Sequence, residues 1–113
     1  MSDCLFCKII NGEIPSKKVF ENDKVYAFYD IAPQAPVHAV IVPKEHIEST
    51  SAITPHNSSA VSAVYEAIPE IAKLLGVDKD GYRIVNNCGK NAGQTVFHIH
   101  FHMLGGAEGG KMY

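Results

Sequence analysis

The chain has 113 residues, of which 46% are hydrophobic and 19% are charged, and its formal net charge is −2. That length predicts a single domain over residues 1–113, since two ordinary domains need more chain. The slight negative charge gives no general attraction to nucleic acid or to an acidic membrane surface, so neither is expected as a partner. The sequence has no apolar run that could span a bilayer and no charged leader followed by an extended hydrophobic segment, which predicts a cytoplasmic protein. Three cysteines, an odd number, argue against a disulfide framework.

Apolar spacing and turn residues predict four elements in the first part of the chain: a short helix over 4–11, strands over 19–20 and 25–31, and a buried strand over 37–42. Gly12 and Pro15 would end the helix, because glycine terminates helices and proline cannot continue them. The first two strands form a predicted hairpin, since the residues between them have turn chemistry. Pro43 ends the third strand, which contains His38.

A long amphipathic helix is predicted in the middle of the chain. Its apolar residues recur at intervals of three and four, at Val61, Val64, Ile68, Ile71 and Leu75. Thr54-Pro55 would begin this helix and Gly76 would end it. Pro69 predicts a kink near Tyr65–Glu66 or a split, because proline lacks the N–H that a helix needs. A further strand is predicted over 82–87, and the order of strands, helix and strands indicates an antiparallel α+β domain.

Three histidines alternate with apolar residues in the last predicted strand, TVFHIHFHMLGG, at positions 95–106. Because successive side chains of a strand point to opposite faces, His98, His100 and His102 would share one face. Phe97, Ile99, Phe101 and Met103 would share the other face, towards the core. Such a row suits a nucleophilic imidazole with neighbours that position it, a set of metal ligands, or a satisfied polar edge. The spacing alone does not separate these three interpretations.

The loop before the histidines, CGKNAGQT at 88–95, is a candidate anion site. Gly89 and Gly93 permit backbone conformations that turn several N–H groups towards one point, and Thr95 can add a hydroxyl donor. The order of residues is not that of the phosphate loop of NTPases, and an ordinary turn explains it equally well. Beside the histidines, however, phosphate is the expected ligand, because anion donors and a nucleophile would meet at one strand end.

The histidine segment resembles the signature of the histidine triad superfamily, over GQTVFHIHFHMLGG. The segments CLFCKIINGEIP, YDIAPQAPVHAVIVPKEHI and RIVNN also look like the nucleotide-binding, purine nucleoside phosphoramidase branch of that family. The resemblance implies an α+β fold with a five-stranded antiparallel sheet, one long and one short helix, and a sheet extended by homodimerisation. It further implies hydrolysis of purine nucleoside phosphoramidates such as AMP-amide or AMP-lysine, binding of AMP or GMP, and no cofactor for catalysis.

Carried over residue by residue, the resemblance makes His100 the nucleophile that attacks the α-phosphorus and forms a nucleotidyl-histidine. His102 would hold the α-phosphate, His38 would orient the nucleophile, and His98 and Thr95 complete the catalytic set. The matching nucleotide-binding positions are Asp30 at the ribose, Asn87, Gly93, Gln94 and Thr95 at the phosphate and leaving group, and Leu5, Phe6, Ile9, Phe28 and Ile31 at the purine. For the apolar positions, core packing is an equally good explanation. A non-catalytic nucleotide sensor is the alternative function.

Cys4 and Cys7 form a CxxC, which by itself is a weak metal signal because a helix can pack two small thiols inward. Some relatives in the superfamily carry a structural zinc on two such cysteines, a histidine that matches His46, and the first triad histidine. The resemblance therefore implies a closed Cys₂His₂ set of Cys4, Cys7, His46 and His98. Other members lack the cysteines, so activity would not require this zinc. The tail AEGGKMY departs from the family pattern, so the resemblance does not identify the leaving group of the substrate. Pro69 also departs from the pattern, so the resemblance does not fix the geometry of the dimer.

Overall fold

The secondary structure comes from a computed structural model that describes residues 4–110, so the last three residues of the tail AEGGKMY lie outside the described residues. The elements in chain order are α1 (Leu5–Ile10), β1 (Lys18–Glu21), β2 (Val25–Tyr29), β3 (Val37–Pro43), α2 (Ser58–Leu75), β4 (Tyr82–Val85) and β5 (Phe101–Gly105). The strands form an antiparallel sheet in the order β1-β2-β3-β5-β4. This arrangement confirms the predicted antiparallel α+β fold with one long and one short helix.

The short helix α1 forms where it is predicted, and its first turn is closed by a cysteine. The Cys7 N–H donates to the Cys4 Sγ at 3.4 Å, which satisfies one of the free N–H groups at the helix start. The helix ends at Ile10, Asn11 caps it, and Gly12 follows with a φ of 80°. Phe6 and Ile9 are the buried residues of α1, so this helix packs through one face.

The long helix α2 begins later than predicted and is not split. Residues 54–57 form a turn in which the Thr54 N–H donates to Asn57 Oδ1 at 2.7 Å, so the predicted start at Thr54-Pro55 is wrong and the helix begins at Ser58. Pro69 lies inside the continuous helix on its exposed side, where water can take the place of the N–H that proline lacks. Gly76 ends the helix with a φ of 74°, as predicted. Among residues 4–110, no helix combines the length and the hydropathy needed to cross a bilayer.

The two faces of the sheet pack against different helices. One face contributes the buried residues Val25, Ile41 and Met103 to a core that α2 covers with its predicted apolar stripe. The opposite face carries Tyr26, Phe28, Val40 and Val42, which pack against Phe6 and Ile9 of α1. His38 alternates with Val40 on β3, and His102 pairs with Val40 across the ladder, so both histidines lie on the α1 side of the sheet.

The histidine strand is shorter than predicted. Strand β5 begins at Phe101, so His98 and His100 precede it rather than lying within it. The reason is a main-chain bond from the Ile99 N–H to the Ile47 carbonyl at 2.6 Å, which ties this segment to the chain after β3 instead of to the β3 ladder. Ile99 is buried as expected, but Phe97 is 56% exposed, so its predicted place on the core face is wrong. Strand β4 likewise ends at Val85 and not at Asn87.

Candidate active site

A cleft of about 690 Å³ lies between α1 and the histidine-bearing face of the sheet. Its apolar wall contains Leu5, Phe6, Ile9, Phe28, Ile31, Val40 and Val96, and its polar end contains Asp30, His38, Asn87, Thr95, His100 and His102. Clefts of this size, mostly apolar with a few convergent polar groups, are typical of small-molecule and cofactor sites. The cleft is large enough for a nucleotide.

With His100 and His102 counted, eleven of the twelve predicted nucleotide-binding residues line this cleft, and the exception is Gln94. The Gln94 side chain is 4% exposed and holds the loop together: its Oε1 accepts from the Gly89 N–H at 2.8 Å, and its Nε2 donates to the carbonyls of Glu48 and Val96. Its side chain therefore shapes the loop from behind. Among the predicted catalytic residues, His98 alone does not line the cleft.

The glycine loop of the predicted anion site closes its own turn with three of its N–H groups. Gly89 and Gly93 do have positive φ angles, of 89° and 88°. However, the N–H groups of Ala92, Gly93 and Gln94 all donate to carbonyls within the loop itself. These three donors close the turn of the loop and are therefore not available to an anion, while the anion site itself stays a prediction. Thr95 and Asn87, which line the cleft, are the polar side chains that this loop and the end of β4 supply.

His100 is held as a neutral imidazole with one free nitrogen. Its Nδ1–H donates to the His98 carbonyl at 2.8 Å, which leaves the Nε2 lone pair unoccupied. Burial lowers the pKa of His100, and the edge of its ring packs against Phe6 with centroids 4.9 Å apart. A neutral imidazole with a free lone pair in a nucleotide-sized cleft is the form that nucleophilic catalysis requires.

Asn86 fixes the main chain of His100, a contact that the sequence analysis missed. The Asn86 Nδ2–H donates to the His100 carbonyl at 2.9 Å, and the Thr50 hydroxyl donates to Asn86 Oδ1. Asn86 thus bridges the turn after β3 and the residue before β5. No local pattern marks this role, because both partners are distant from Asn86 in the sequence.

His38 and His102 form a close pair at the polar end of the cleft. The His38 Nε2 lies 2.9 Å from the His102 Nδ1 and 3.4 Å from the Asp30 Oδ2. Burial lowers the pKa of both histidines, and that of His102 falls to about 4, with further lowering from His100 and His38. The Asp30 carboxylate raises both pKa values but does not offset burial. The two rings are therefore neutral near pH 7 and share one hydrogen between the facing nitrogens.

The structure brings together the predicted metal ligands, which are Cys4, Cys7, His46 and His98. The four donor atoms lie within 4.8 Å of one another. The His98 Nδ1 is 3.2 Å from the His46 Nδ1, 3.4 Å from the Cys4 Sγ and 3.6 Å from the Cys7 Sγ. A tetrahedral zinc separates neighbouring nitrogen and sulfur ligands by about 3.3–3.8 Å. The donor set and its spacing therefore fit a closed zinc site.

The imidazole of His98 is oriented for this metal group. Its Nε2–H donates to the Pro43 carbonyl at 2.8 Å, which leaves the Nδ1 lone pair facing the thiols. The side chain is fully buried, and burial lowers its pKa to about 4. Metal-binding histidines typically donate the N–H of their other ring nitrogen in this way, because the hydrogen bond fixes the ring and its tautomer. Eight residues that line the cleft were missed by sequence reasoning: Ile14, Pro15, Ser16, Tyr29, Ala32, Gln34, Val40 and Val96. Most of them lie in loops or at strand ends without a periodic pattern.

The sheet has five antiparallel strands, with a long helix on one face and a cleft lined by neutral histidines on the other. This combination defines the class of small α+β proteins that bind nucleotide-sized ligands through a histidine triad. A family model described as the HIT domain matches residues 11–109. The chain belongs to this family.

The similar proteins agree with the fold. A HIT family hydrolase from Clostridium thermocellum is 45% identical, with a TM-score of 0.95 over 99% of this chain and 97% of that chain. A histidine triad protein from Clostridium difficile is 46% identical, with a TM-score of 0.95 over 100% and 98% of the two chains. A purine nucleoside phosphoramidase from Escherichia coli K12 is 40% identical over 97% of this chain and 92% of that protein. These matches confirm the histidine triad fold that the resemblance implies.

Proposed function

We propose that the protein hydrolyses purine nucleoside phosphoramidates, of the AMP-amide or AMP-lysine type, through a covalent intermediate on His100. The observation that carries this proposal is the geometry of His100, whose Nδ1–H is bonded to the His98 carbonyl while the residue lines the cleft. A similar phosphoramidase, 40% identical, supports the choice of substrate class.

The reaction has two displacements at the same phosphorus. In the first, the His100 Nε2 forms a bond to the α-phosphorus, the P–N bond to the leaving group breaks, and the departing amine takes up a proton from solvent. In the second, a water attacks the phosphorus and releases a proton to solvent, the bond to Nε2 breaks, and the nucleoside monophosphate leaves with His100 neutral again. A covalent route of this kind replaces one difficult displacement by two easier ones.

The cleft offers complementary surfaces for the rest of the nucleotide. The purine would lie between α1 and the end of β2, where Leu5, Phe6 and Phe28 form an apolar wall. Ile31, next to Asp30, is 100% exposed and can become buried against the base. Asp30 Oδ1 accepts from the Ala32 N–H at 2.8 Å, which holds the carboxylate at the position proposed for the ribose hydroxyls. Thr95, Asn87 and His102 would contact the phosphate.

We also propose that Cys4, Cys7, His46 and His98 hold a structural zinc. When bound, the metal would crosslink α1 to the segment before β5. No step of the reaction uses it.

The proposed homodimer would extend the sheet, and β4 is the edge strand that lies next to β5.

The test is incubation with AMP-amide and AMP-lysine, with release of AMP measured by chromatography. The protein is quenched in denaturant at alkaline pH, where a P–N bond to histidine survives, and is then digested and analysed by mass spectrometry. The proposal predicts an adenylyl adduct on His100 and release of AMP. His100→Ala should lose turnover while its affinity for AMP stays within a few-fold of wild type. His56→Ala is the matched control, because His56 is exposed and lies outside the cleft. Binding of AMP by the wild type without turnover would instead support a nucleotide sensor.

A further inference from the structure

The connector between β2 and β3 places a main-chain donor on a site histidine. Gln34 lies in the APQAP segment, and its N–H donates to the His38 Nδ1 at 3.0 Å. A peptide N–H can only donate, so the His38 Nδ1 must carry the lone pair. In a neutral imidazole the single hydrogen then lies on the other nitrogen, and His38 carries it on Nε2.

This assignment determines the hydrogen on His102 as well. The His38 Nε2 and the His102 Nδ1 are 2.9 Å apart, a distance that requires one hydrogen between them. Since His38 supplies that hydrogen, the His102 Nδ1 accepts it, and His102 carries its own hydrogen on Nε2. The Asp30 Oδ2, 3.4 Å from the His38 Nε2, favours the same arrangement because a carboxylate is an acceptor only.

The two neighbouring histidines of the cleft therefore present opposite groups. His100 keeps a free lone pair on Nε2 because its Nδ1–H is bonded to the His98 carbonyl. His102 keeps an N–H on Nε2, and the two rings are 5.2 Å apart. A nucleophile and a hydrogen-bond donor are the two groups that displacement at a phosphoryl group needs side by side.

We infer that the main-chain N–H of Gln34 is a positioning group that sets the tautomers of His38 and His102, so that His102 directs an N–H donor at the phosphoryl group. The inference rests on the proposed function for the identity of the ligand, but the hydrogen positions do not depend on it. The same N–H disfavours metal capture by Asp30, His38 and His102, whose donor atoms lie within 4.8 Å of one another, because the His38 Nε2 has no free lone pair.

The test removes the single hydrogen by replacing residue 34 with the α-hydroxy acid analogue of glutamine, which turns the amide N–H into an ester oxygen. Two controls isolate this change. Gln34→Ala keeps the N–H and removes only the side chain, whose Nε2 donates to the Ala32 carbonyl. An ester at Ala35 alters the same connector at an N–H that donates no hydrogen bond within residues 4–110.

The readout is the ring ¹⁵N NMR spectrum of His38 and His102 at about pH 8, where ordinary histidines are neutral. We expect both rings to carry hydrogen on Nε2 in the wild type and in both controls. In the residue-34 ester both should switch to Nδ1–H, and AMP-amide hydrolysis should fall about 100-fold, the loss typical when one donor to a developing negative charge is removed.

A wild-type His102 with its hydrogen on Nδ1 would overturn the inference. So would an ester variant that keeps the wild-type tautomers, whether or not its turnover changes. If the wild type shows the expected tautomers but hydrolyses no phosphoramidate, the proposed function fails while the role of Gln34 stands.

Discussion

The His98 main chain and side chain serve two different groups, and the link to His100 is direct: the His98 carbonyl accepts the Nδ1–H of His100 at 2.8 Å. The His98 ring belongs to the metal group, and its Nδ1 lies 3.4 Å from the Cys4 Sγ. A residue that can be anchored by a metal therefore also fixes the tautomer of the proposed nucleophile.

Removing a ligand of the metal group should lower stability more than activity. Cys7→Ser is expected to lose bound zinc and to lower the midpoint of thermal unfolding by about 4–8 °C for each kcal/mol lost. Metal content by mass spectrometry and thermal unfolding by circular dichroism measure the two effects. Cys88→Ser is the control, since Cys88 is another partly buried thiol outside the metal group. A Cys7→Ser protein that keeps wild-type zinc content would show that these residues do not form the site.

Activity should fall in acid. The pKa of His102 is lowered to about 4 and that of His100 is also lowered, both chiefly by burial, so both imidazoles are neutral at pH 7. Protonation of His100 would remove its lone pair. We expect kcat/KM to be flat above neutrality and to fall with a midpoint below the ordinary histidine value of about 6.5. A midpoint above that value would contradict the burial effect.

Stability should follow the same groups. Between about pH 6.5 and about pH 4, the unfolded chain binds a proton at His102 while the folded chain does not, so the free energy of unfolding falls as pH decreases. One such group contributes about 1.4 kcal/mol per pH unit in that window and nothing further below it. Denaturant unfolding at several pH values measures the slope. His102→Gln should reduce the slope, whereas His56→Ala, on an exposed side chain, should leave it unchanged.

Loss of the Asn86 donor should misplace the nucleophile. Asn86→Asp keeps an oxygen that accepts from the Thr50 hydroxyl but loses the Nδ2–H that donates to the His100 carbonyl. A buried acceptor without its partner costs about 1–3 kcal/mol. We expect a comparable loss of stability and about a tenfold loss in kcat/KM, since small misplacements of reacting groups are costly. Asn91→Asp, in the exposed part of the glycine loop, makes the same chemical change as a control. Unchanged kinetics in Asn86→Asp would show that the His100 main chain needs no such support.

Ile31 separates nucleotide binding from core packing. Its side chain is 100% exposed at the mouth of the cleft, so Ile31→Ala should leave the free energy of unfolding within about 0.5 kcal/mol of wild type. If the base covers this side chain, AMP affinity measured by calorimetry should fall several-fold, as expected for about 1 kcal/mol of lost apolar burial. Leu74→Ala, at an exposed position on α2 away from the cleft, should change neither quantity. An unchanged affinity in Ile31→Ala would place the base elsewhere.

Periodic patterns predicted the elements whose contacts are local or regular. The three- and four-residue spacing located the buried stripe of α2, and alternation placed His38 and Val40 on one face of β3. The start of β5 could not be predicted, because it depends on the bond between Ile99 and Ile47. The roles of Asn86 and of the Gln34 N–H were equally invisible, since each acts through a contact formed only in the folded chain. The roles assigned to the histidines came from family resemblance, because spacing alone left catalytic and metal interpretations open.

Helix α1 supplies a wall to one site and ligands to the other: Phe6 and Ile9 line the cleft, while Cys4 and Cys7 belong to the metal group. With six residues, it is too short to persist in water without contacts to the rest of the protein. A metal bound by Cys4 and Cys7 would order α1, and a nucleotide bound against Phe6 and Ile9 would do the same. The ligand that binds first therefore lowers the entropic cost of ordering the helix for the second. Metal and nucleotide should accordingly bind with positive thermodynamic coupling, each increasing the affinity of the other by the same factor.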